Sequence, residues 1–438
     1  MQQDGHAQRP MMGRRARVAA TAAAAVSVLA LAACSGPSTP GHPVISIGAG
    51  SSTTVVSDPP DSTPPAAPAV ITAFRGHDVN PIAPIKVSIA NGTLTSVAMT
   101  NSEGKQVRGA ISDDGTSWQN AEVLGYSKTY RIVAKGEGED GSPITTRSRL
   151  TTLTPNNMTM PYFQRIGGYS LDRGDKFGVG IVPVIHFDEP IPNRAAAERN
   201  LQVITTPHVD GSWYWSDDQN VHFRPKDYWP SGTKVQIVAH VYGVNLGQGL
   251  YGQSDVRSNF TIGRRQVTVA YDTAPKSVNK VRVYNAAGHV IRTMNTSMGE
   301  HSGEEVNGQW INFYTLDGTY TVIAHEQPAN MCSDSYGLPA NAPGGYECEA
   351  IYNATKISID GIYLHELTST IWDQDHGYDV SHGCLNLNTA NSLWYFNHSM
   401  IGDPVEIHGA KGAPTLEVWQ GGDWTVPWKR WLAGSALH

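Results

Sequence analysis

The sequence predicts a mainly β protein, and three observations support that class. Short runs alternate apolar with polar residues, as in Ile85-Lys86-Val87-Ser88-Ile89 and Val267-Thr268-Val269-Ala270-Tyr271. Turn dipeptides punctuate them: Asn91-Gly92, Glu103-Gly104, Asp114-Gly115 and Asp140-Gly141. Gly (44) and Pro (27) are abundant, only 16% of residues are charged, and the aromatics are mostly Tyr (18) and Trp (11). That composition suits a secreted all-β chain better than a helical one. At 438 residues the chain has room for about three domains.

The N-terminus sets the expected compartment. Arg14-Arg15-Ala16-Arg17 is positive, and residues 18–33 are apolar but too short and too alanine-rich for a stable span. The run ends Leu31-Ala32-Ala33-Cys34-Ser35-Gly36, which resembles a bacterial lipobox. Residues 1–33 are then a lipoprotein signal peptide and Cys34 the lipidated residue; the alternative is an ordinary A-x-A cleavage with Cys34 incidental. The expected location is the cell envelope, on the outer face of the cytoplasmic membrane, with the lipid as the membrane anchor. Residues 1–33 carry four Arg and one Asp, net +3, so their removal takes the formal charge from −7 to −10. An acidic chain argues against nucleic acid as a partner. Residues 34–68 are rich in Ser, Pro and Thr, cannot bury enough apolar surface to fold, and read as a disordered tether.

Residues 69–154 read as a small sandwich, with strand-like runs at 85–89, 94–99 and 130–134. Trp118 and Tyr130 are expected in its core. Residues 155–264 repeat the theme through Val182–Phe187, Val221–Pro225 and Val235–Ala239, giving two tandem immunoglobulin-like modules. Residues 195–201 have the composition of a short helix. Trp213-Tyr214-Trp215 is either a glycan-stacking surface or alternating core aromatics on a strand, and the second is the default.

A third domain is expected over 265–410. Lys280–Tyr284, the turn Asn285–Gly288 and His289–Met294 make a hairpin beside Val267–Tyr271; Tyr320–Ala324 and Asp403–Ile407 are further strands. Residues 389–400 have helix composition, with Asn388 or Thr389 as cap and Leu393 and Phe396 facing inward. Residues 411–438 hold Trp419, Trp424, Trp428 and Trp431. One buried Trp is worth ~3–5 kcal/mol, so packing is the expected role of this tail.

The chemistry concentrates in Ser381-His382-Gly383-Cys384-Leu385-Asn386, with His365 upstream after Ile362-Tyr363-Leu364. A thiol beside an imidazole base is a strong nucleophile. A glycine before it lets the backbone turn sharply, and amides in that turn can face an oxyanion. Cys384 is the expected nucleophile and His365 the base, with His382 the competing histidine. Gly383 and Cys384 are expected to supply N–H groups, and a helix just past Cys384 would favour the thiolate. A zinc site built from His365, His382 and Cys384 has poor spacing and no C-x-x-C, so no metal and no cofactor are expected. Of the four cysteines, Cys332 and Cys348 remain, 16 apart around a Gly/Pro-rich loop. An exported chain permits a disulfide there, worth roughly 3 kcal/mol by loop closure; two free buried thiols are the alternative.

His365, its spacer and the Ser381–Asn386 run closely resemble the signature of the L,D-transpeptidases. Thr315-Leu316-Asp317-Gly318-Thr319-Tyr320 is similar to the motif that opens a strand of their catalytic domain, and residues 331–346 resemble the active-site lid of mycobacterial members. The resemblance covers roughly 265–438, and the upstream part is similar in pattern to the immunoglobulin-like modules such enzymes carry. It implies a β-sandwich-like catalytic domain with a C-terminal segment packed on it. It implies attack on a peptidoglycan tetrapeptide stem between meso-diaminopimelate and D-Ala, with acyl transfer to another stem's amine, a 3→3 cross-link. Water as acceptor gives an L,D-carboxypeptidase, and carbapenems and other β-lactams acylate the same sulfur. By the same resemblance the Glu366 carbonyl orients His365, and His382 is structural beside the oxyanion site. Met331, Tyr336, Tyr346, Trp372, Ser381 and Asn386 attend the substrate, Asn386 by bonding nearby backbone. Glu366 stands where members carry a small residue, and the 373–379 loop is about one residue longer. The reading from a different class is a non-catalytic wall-binding spacer lipoprotein.

Overall fold

The computed structural model describes residues 67–275 and 277–437. The expected signal peptide, Cys34 and all but the end of the expected tether lie outside the described residues. Among those described, no helix is long and apolar enough to cross a membrane.

The first module packs a five-stranded sheet against a four-stranded one. Its longest strands, Gly92–Asn101, Thr129–Gly138 and Pro143–Thr152, are antiparallel neighbours. Along 129–138 buried and open positions alternate, as a strand with one apolar face requires. Ile85, Val87, Met99, Trp118, Tyr130 and Ile132 fill the space between the sheets. Trp118 and Tyr130 are core residues, and the Tyr130 hydroxyl accepts from the Gly125 amide at 2.8 Å.

The second module repeats the arrangement with sheets of five and four strands. Trp213 and Trp215, on Gly211–Trp215, face its core with Phe187, Phe223 and Trp229. Tyr214 between them points the other way and stacks on Trp431 at 4.7 Å. The aromatic run is therefore packing on both faces. The short helix is Arg194–Glu198, capped by the Asn193 side chain.

The third domain stands on two sheets. One runs in the order Val290–Thr296, Asn279–Tyr284, Val267–Tyr271, Pro404–His408, Gly318–Thr321. The other runs Ala324–Glu326, Ala354–Lys356, Tyr363–Glu366, Leu385–Leu387. Val281, Met294, Tyr320, Leu364, Leu385 and Ile407 meet between them. The expected single strand 320–324 is split, because the chain crosses between sheets at Val322 and Ile323, both buried.

The helix Thr389–His398 has Asn388 as its cap, accepting from the Asn391 amide at 3.0 Å. Its buried residues are Ser392 and Tyr395, while Leu393 is exposed and Phe396 packs on His325. Leu393 was expected inward; the helix instead turns Tyr395 into the core, where its hydroxyl meets that of Thr268 at 3.0 Å.

The tail bridges two bodies rather than one. Leu416 joins the catalytic core, and Thr425 Oγ1 accepts from the Thr319 amide at 2.8 Å. Beyond it, Trp431 Nε1 donates to the Ser212 carbonyl, Trp424 Nε1 to the Gly180 carbonyl, and the Ala436 amide to Glu198. The second module therefore takes much of the packing that the resemblance assigned to the catalytic domain. Trp419 is exposed.

Candidate active site

Parallel pairing of Tyr363–Glu366 with Leu385–Leu387 brings the two halves of the motif together. The register matches Leu364 with Leu385 and His365 with Asn386. Leu364, Leu385 and Leu387 face the core, so by strand alternation Tyr363, His365, Cys384 and Asn386 share the opposite face. His365 and Cys384 thus lie on one side of adjoining segments. The His365 Nδ1 donates to the Glu366 carbonyl at 2.9 Å, which leaves Nε2 as the basic nitrogen. The Glu366 carbonyl to which an orienting role was assigned is thus the partner of the His365 ring.

In this resting arrangement the thiol hydrogen is turned to the Gly361 carbonyl, 3.6 Å from Sγ. Burial pushes the Cys384 thiol up to about 12, against a lowering contribution from the Tyr363 amide. Burial lowers His365, partly offset by its bond to Glu366. Both groups are uncharged at neutral pH, so the pair is a thiol and a free base. The helix that was to favour the thiolate starts only at Thr389, after an intervening strand, and its first hydroxyl engages the Glu366 carboxylate at 2.6 Å.

The turn before the nucleophile is braced on several sides. Ser381 Oγ donates to the Cys384 carbonyl at 2.7 Å and accepts from the Gly383 amide at 3.1 Å. The Gly383 amide is therefore spent inside the turn, against expectation, and the Cys384 amide is the remaining candidate oxyanion donor. Gly383 has φ +129°, and a Cβ there would sit 2.6 Å from Ile362 Cδ1, so only glycine fits. Thr315 Oγ1 donates to the Gly383 carbonyl and accepts from the Gly299 amide, both at 2.9 Å. The sequence reading gave Thr315 no role, although it opens the quoted 315–320 motif.

A hairpin, Ala329–Met331 with Glu349–Ile351, and the short 3-10 turn Ser333–Tyr336 form the flap over this face. Cys332 and Cys348 are joined by a disulfide at its base, as expected. Met331 and Cys384 both pack against the buried cluster of Ala329, Ala354 and Tyr363. Tyr336 and Tyr346 lie against His382, at centroid distances of 6.0 and 5.6 Å. Burial raises both phenols, with the Cys384 sulfur a further contributor to each. His382 also meets Phe313 edge-on, and burial lowers it. Its ring is wedged between Phe313 and the two flap tyrosines.

Two placements differ from expectation. Trp372 lies on a helical turn, Ile371–His376, closed by left-handed Gly377, where a loop was expected. There its ring stacks on His376 and Tyr378 and is 59% exposed. Asn386 does not bond nearby backbone through its side chain: it is buried and both amide atoms lack partners. Glu366, beyond its carbonyl, accepts from Asn353 Nδ2 at 2.8 Å and from Thr389. The charge that stands in place of a small residue is thereby tied down.

Comparison with known proteins agrees with this geometry. The YkuD family, described as an L,D-transpeptidase catalytic domain, matches residues 276–407, and a bacterial Ig domain family matches 76–245. L,D-transpeptidase 2 of Mycobacterium tuberculosis is 35% identical over 354 residues, 81% of each chain. L,D-transpeptidase 5 of the same organism is 34% identical over 386 residues, 86% of this chain and 79% of its own. The solved structure of the transpeptidase LdtMt1 in complex with imipenem is 26% identical, covering 56% of this chain and 99% of its own at TM-score 0.44. Sequence kinship of this extent, 34–35% identity over more than four fifths of the chain, makes the protein a member of the L,D-transpeptidase family.

Proposed function

We propose that this protein forms 3→3 peptidoglycan cross-links through a cysteine acyl-enzyme. The observation that carries the proposal is the shared face of His365 and Cys384, with Nδ1 fixed by the Glu366 carbonyl and Nε2 left basic. Cys384 Sγ attacks the L-centre carbonyl of a tetrapeptide stem while His365 takes the thiol proton. The S–C bond forms, the bond to D-Ala breaks, and His365 returns the proton to the leaving amine. The thioester then meets the side-chain amine of a second stem, or water, which gives a carboxypeptidase. The thiol is uncharged at rest, so proton transfer accompanies attack, and the Cys384 amide meets the oxyanion. Carbapenems acylate the same sulfur by the same route. Met331, Tyr336 and Tyr346 line the donor side under the flap.

The supporting location is the outer face of the cytoplasmic membrane, through a lipid on Cys34. There the two immunoglobulin-like modules space the catalytic domain from the anchor.

Mature protein incubated with a defined tetrapeptide stem and followed by mass should yield the cross-linked dimer with loss of D-Ala. Cys384→Ala should abolish this product and the covalent carbapenem adduct while keeping the wild-type melting transition. A carbapenem adduct that survives Cys384→Ala would remove the sulfur from its role.

A further inference from the structure

Away from the thiol, a second group of chemically able side chains converges behind the Ser381 turn. Asp272 follows the Val267–Tyr271 strand, His301 lies beyond the Val290–Thr296 strand, and Asp379 stands two residues before Ser381. One donor atom from each lies within 4.8 Å of the other two. His301 Nε2 is 2.9 Å from Asp272 Oδ2 and 3.5 Å from Asp379 Oδ2. The two carboxylate side chains are 1% and 4% exposed, whereas the imidazole is 28% exposed.

The orientation of these groups is imposed from outside the cluster. Asp379 Oδ1 accepts from the Met298 amide at 2.6 Å and from Asn279 Nδ2 at 2.9 Å. The His301 ring is stacked on Tyr314 at 5.4 Å. Such outer contacts are what hold a ligand set in place before an ion arrives. Asp272 Oδ1, in contrast, is buried with no hydrogen-bond partner. A carboxylate oxygen removed from water and left unpaired is costly, and a cation on the neighbouring Oδ2 would neutralise the charge behind that cost. A cavity of about 520 Å³ adjoins it, lined by Asp272, Thr273, Ser277, His301, Ala410 and Lys411.

We propose that Asp272, His301 and Asp379 bind one divalent cation of the zinc class, with water from the adjoining cavity as the fourth ligand. Zinc bonds to nitrogen and oxygen of about 2.0–2.1 Å give tetrahedral ligand-to-ligand edges of about 3.3 Å. The two separations from His301 Nε2, 2.9 and 3.5 Å, bracket that edge, and the third lies within 4.8 Å. Two hard oxygens with one imidazole suit a borderline ion rather than calcium, which takes six or more oxygens. The site is separate from the reacting sulfur, and its consequence is mechanical. The Ser381 amide donates to the Met298 carbonyl at 3.0 Å, and the Glu300 amide to the Ser381 carbonyl at 2.8 Å. An ion spanning Asp272, His301 and Asp379 pins the 298–301 segment to the stretch leading into the nucleophile turn.

The test uses the untagged full chain, stripped with chelator and titrated with ZnCl2 by calorimetry. Cys384→Ser serves as background so that the catalytic sulfur cannot compete for the metal. One zinc per chain is expected, with a raised melting temperature. His301→Gln and Asp272→Asn should each weaken binding by about 100-fold or more, and Asn279→Ala by about 10–100-fold. Cobalt loading supplies a second readout, a visible ligand-field band that His301→Gln removes. No zinc bound at millimolar concentration, or stoichiometry and affinity unchanged in His301→Gln, would overturn the site. So would a melting temperature that falls equally with and without zinc in Asp272→Asn, the mark of a plain imidazolium clamp.

Discussion

His365 and Asn386 are direct partners across the parallel ladder, and the Asn386 side chain beside that imidazole is buried with neither amide atom hydrogen-bonded. An unmet buried amide costs about 1–3 kcal/mol. We expect this amide, beside the His365 imidazole, to gain a partner during the reaction. Asn386→Leu should therefore leave the melting temperature unchanged or raised, while kcat falls by about 10-fold or more. Thermal unfolding together with steady-state kinetics checks both halves, and loss of stability without loss of rate would refute the assignment.

The uncharged state of the thiol and base fixes a pH dependence. Burial lowers His365 below its ordinary 6.5, so the free base survives through neutral pH and the acid limb of acylation should fall below 6.5. The thiol is pushed up to about 12, so iodoacetamide should label Cys384 slowly at pH 8 and faster as pH rises beyond 9. Linkage runs the same way. The unfolded chain releases the thiol proton near its ordinary 9.0 while the folded chain keeps it, so stability is lost as pH rises above 9. Cys384→Ala should flatten that alkaline loss in denaturant titrations.

Gly383→Ala should damage both fold and rate. The φ of +129° strains any L side chain, and a Cβ 2.6 Å from Ile362 Cδ1 forces that side chain to shift. Strain of this kind costs about 1–3 kcal/mol. Displacing the Cys384 amide should lower acylation by about 10²-fold. Stopped-flow acylation by a carbapenem reports the rate, and thermal unfolding the strain.

Glu366 separates two jobs that share one residue. Its carbonyl orients His365, and its carboxylate ties Asn353 to Thr389. Glu366→Ala removes only the second and should destabilise by about 1–3 kcal/mol. Its kcat/KM should change by less than about 10-fold, since the backbone contact remains.

The disulfide between Cys332 and Cys348 encloses the flap turn that carries Tyr336 and Tyr346. Cys332→Ser with Cys348→Ser removes a loop constraint of roughly 3 kcal/mol. KM for the stem peptide should rise, and limited proteolysis should cut within 333–347. The thermal midpoint of the immunoglobulin-like modules should not move.

Strand periods, turn dipeptides and one six-residue motif made the architecture and the nucleophile–base pair legible in the sequence. What stayed hidden depends on contacts between distant segments. Leu393 reads as inward by composition, yet Tyr395 wins the core because its hydroxyl finds Thr268. The Gly383 amide reads as an oxyanion donor until the Ser381 hydroxyl folds back onto it. Trp372 reads as a pocket wall until a helical turn lays it along the surface. Asp272, His301 and Asp379 are about 30 and 80 residues apart and carry no motif at all.

The tail that fastens Trp431 under Tyr214 and Thr425 to Thr319 has one further consequence. Because it grips the second module and the third domain at once, this segment acts as the brake on any swivel between them. Trp431→Ala would release the brake and leave molecules that are folded piece by piece yet aim the catalytic mouth in many directions.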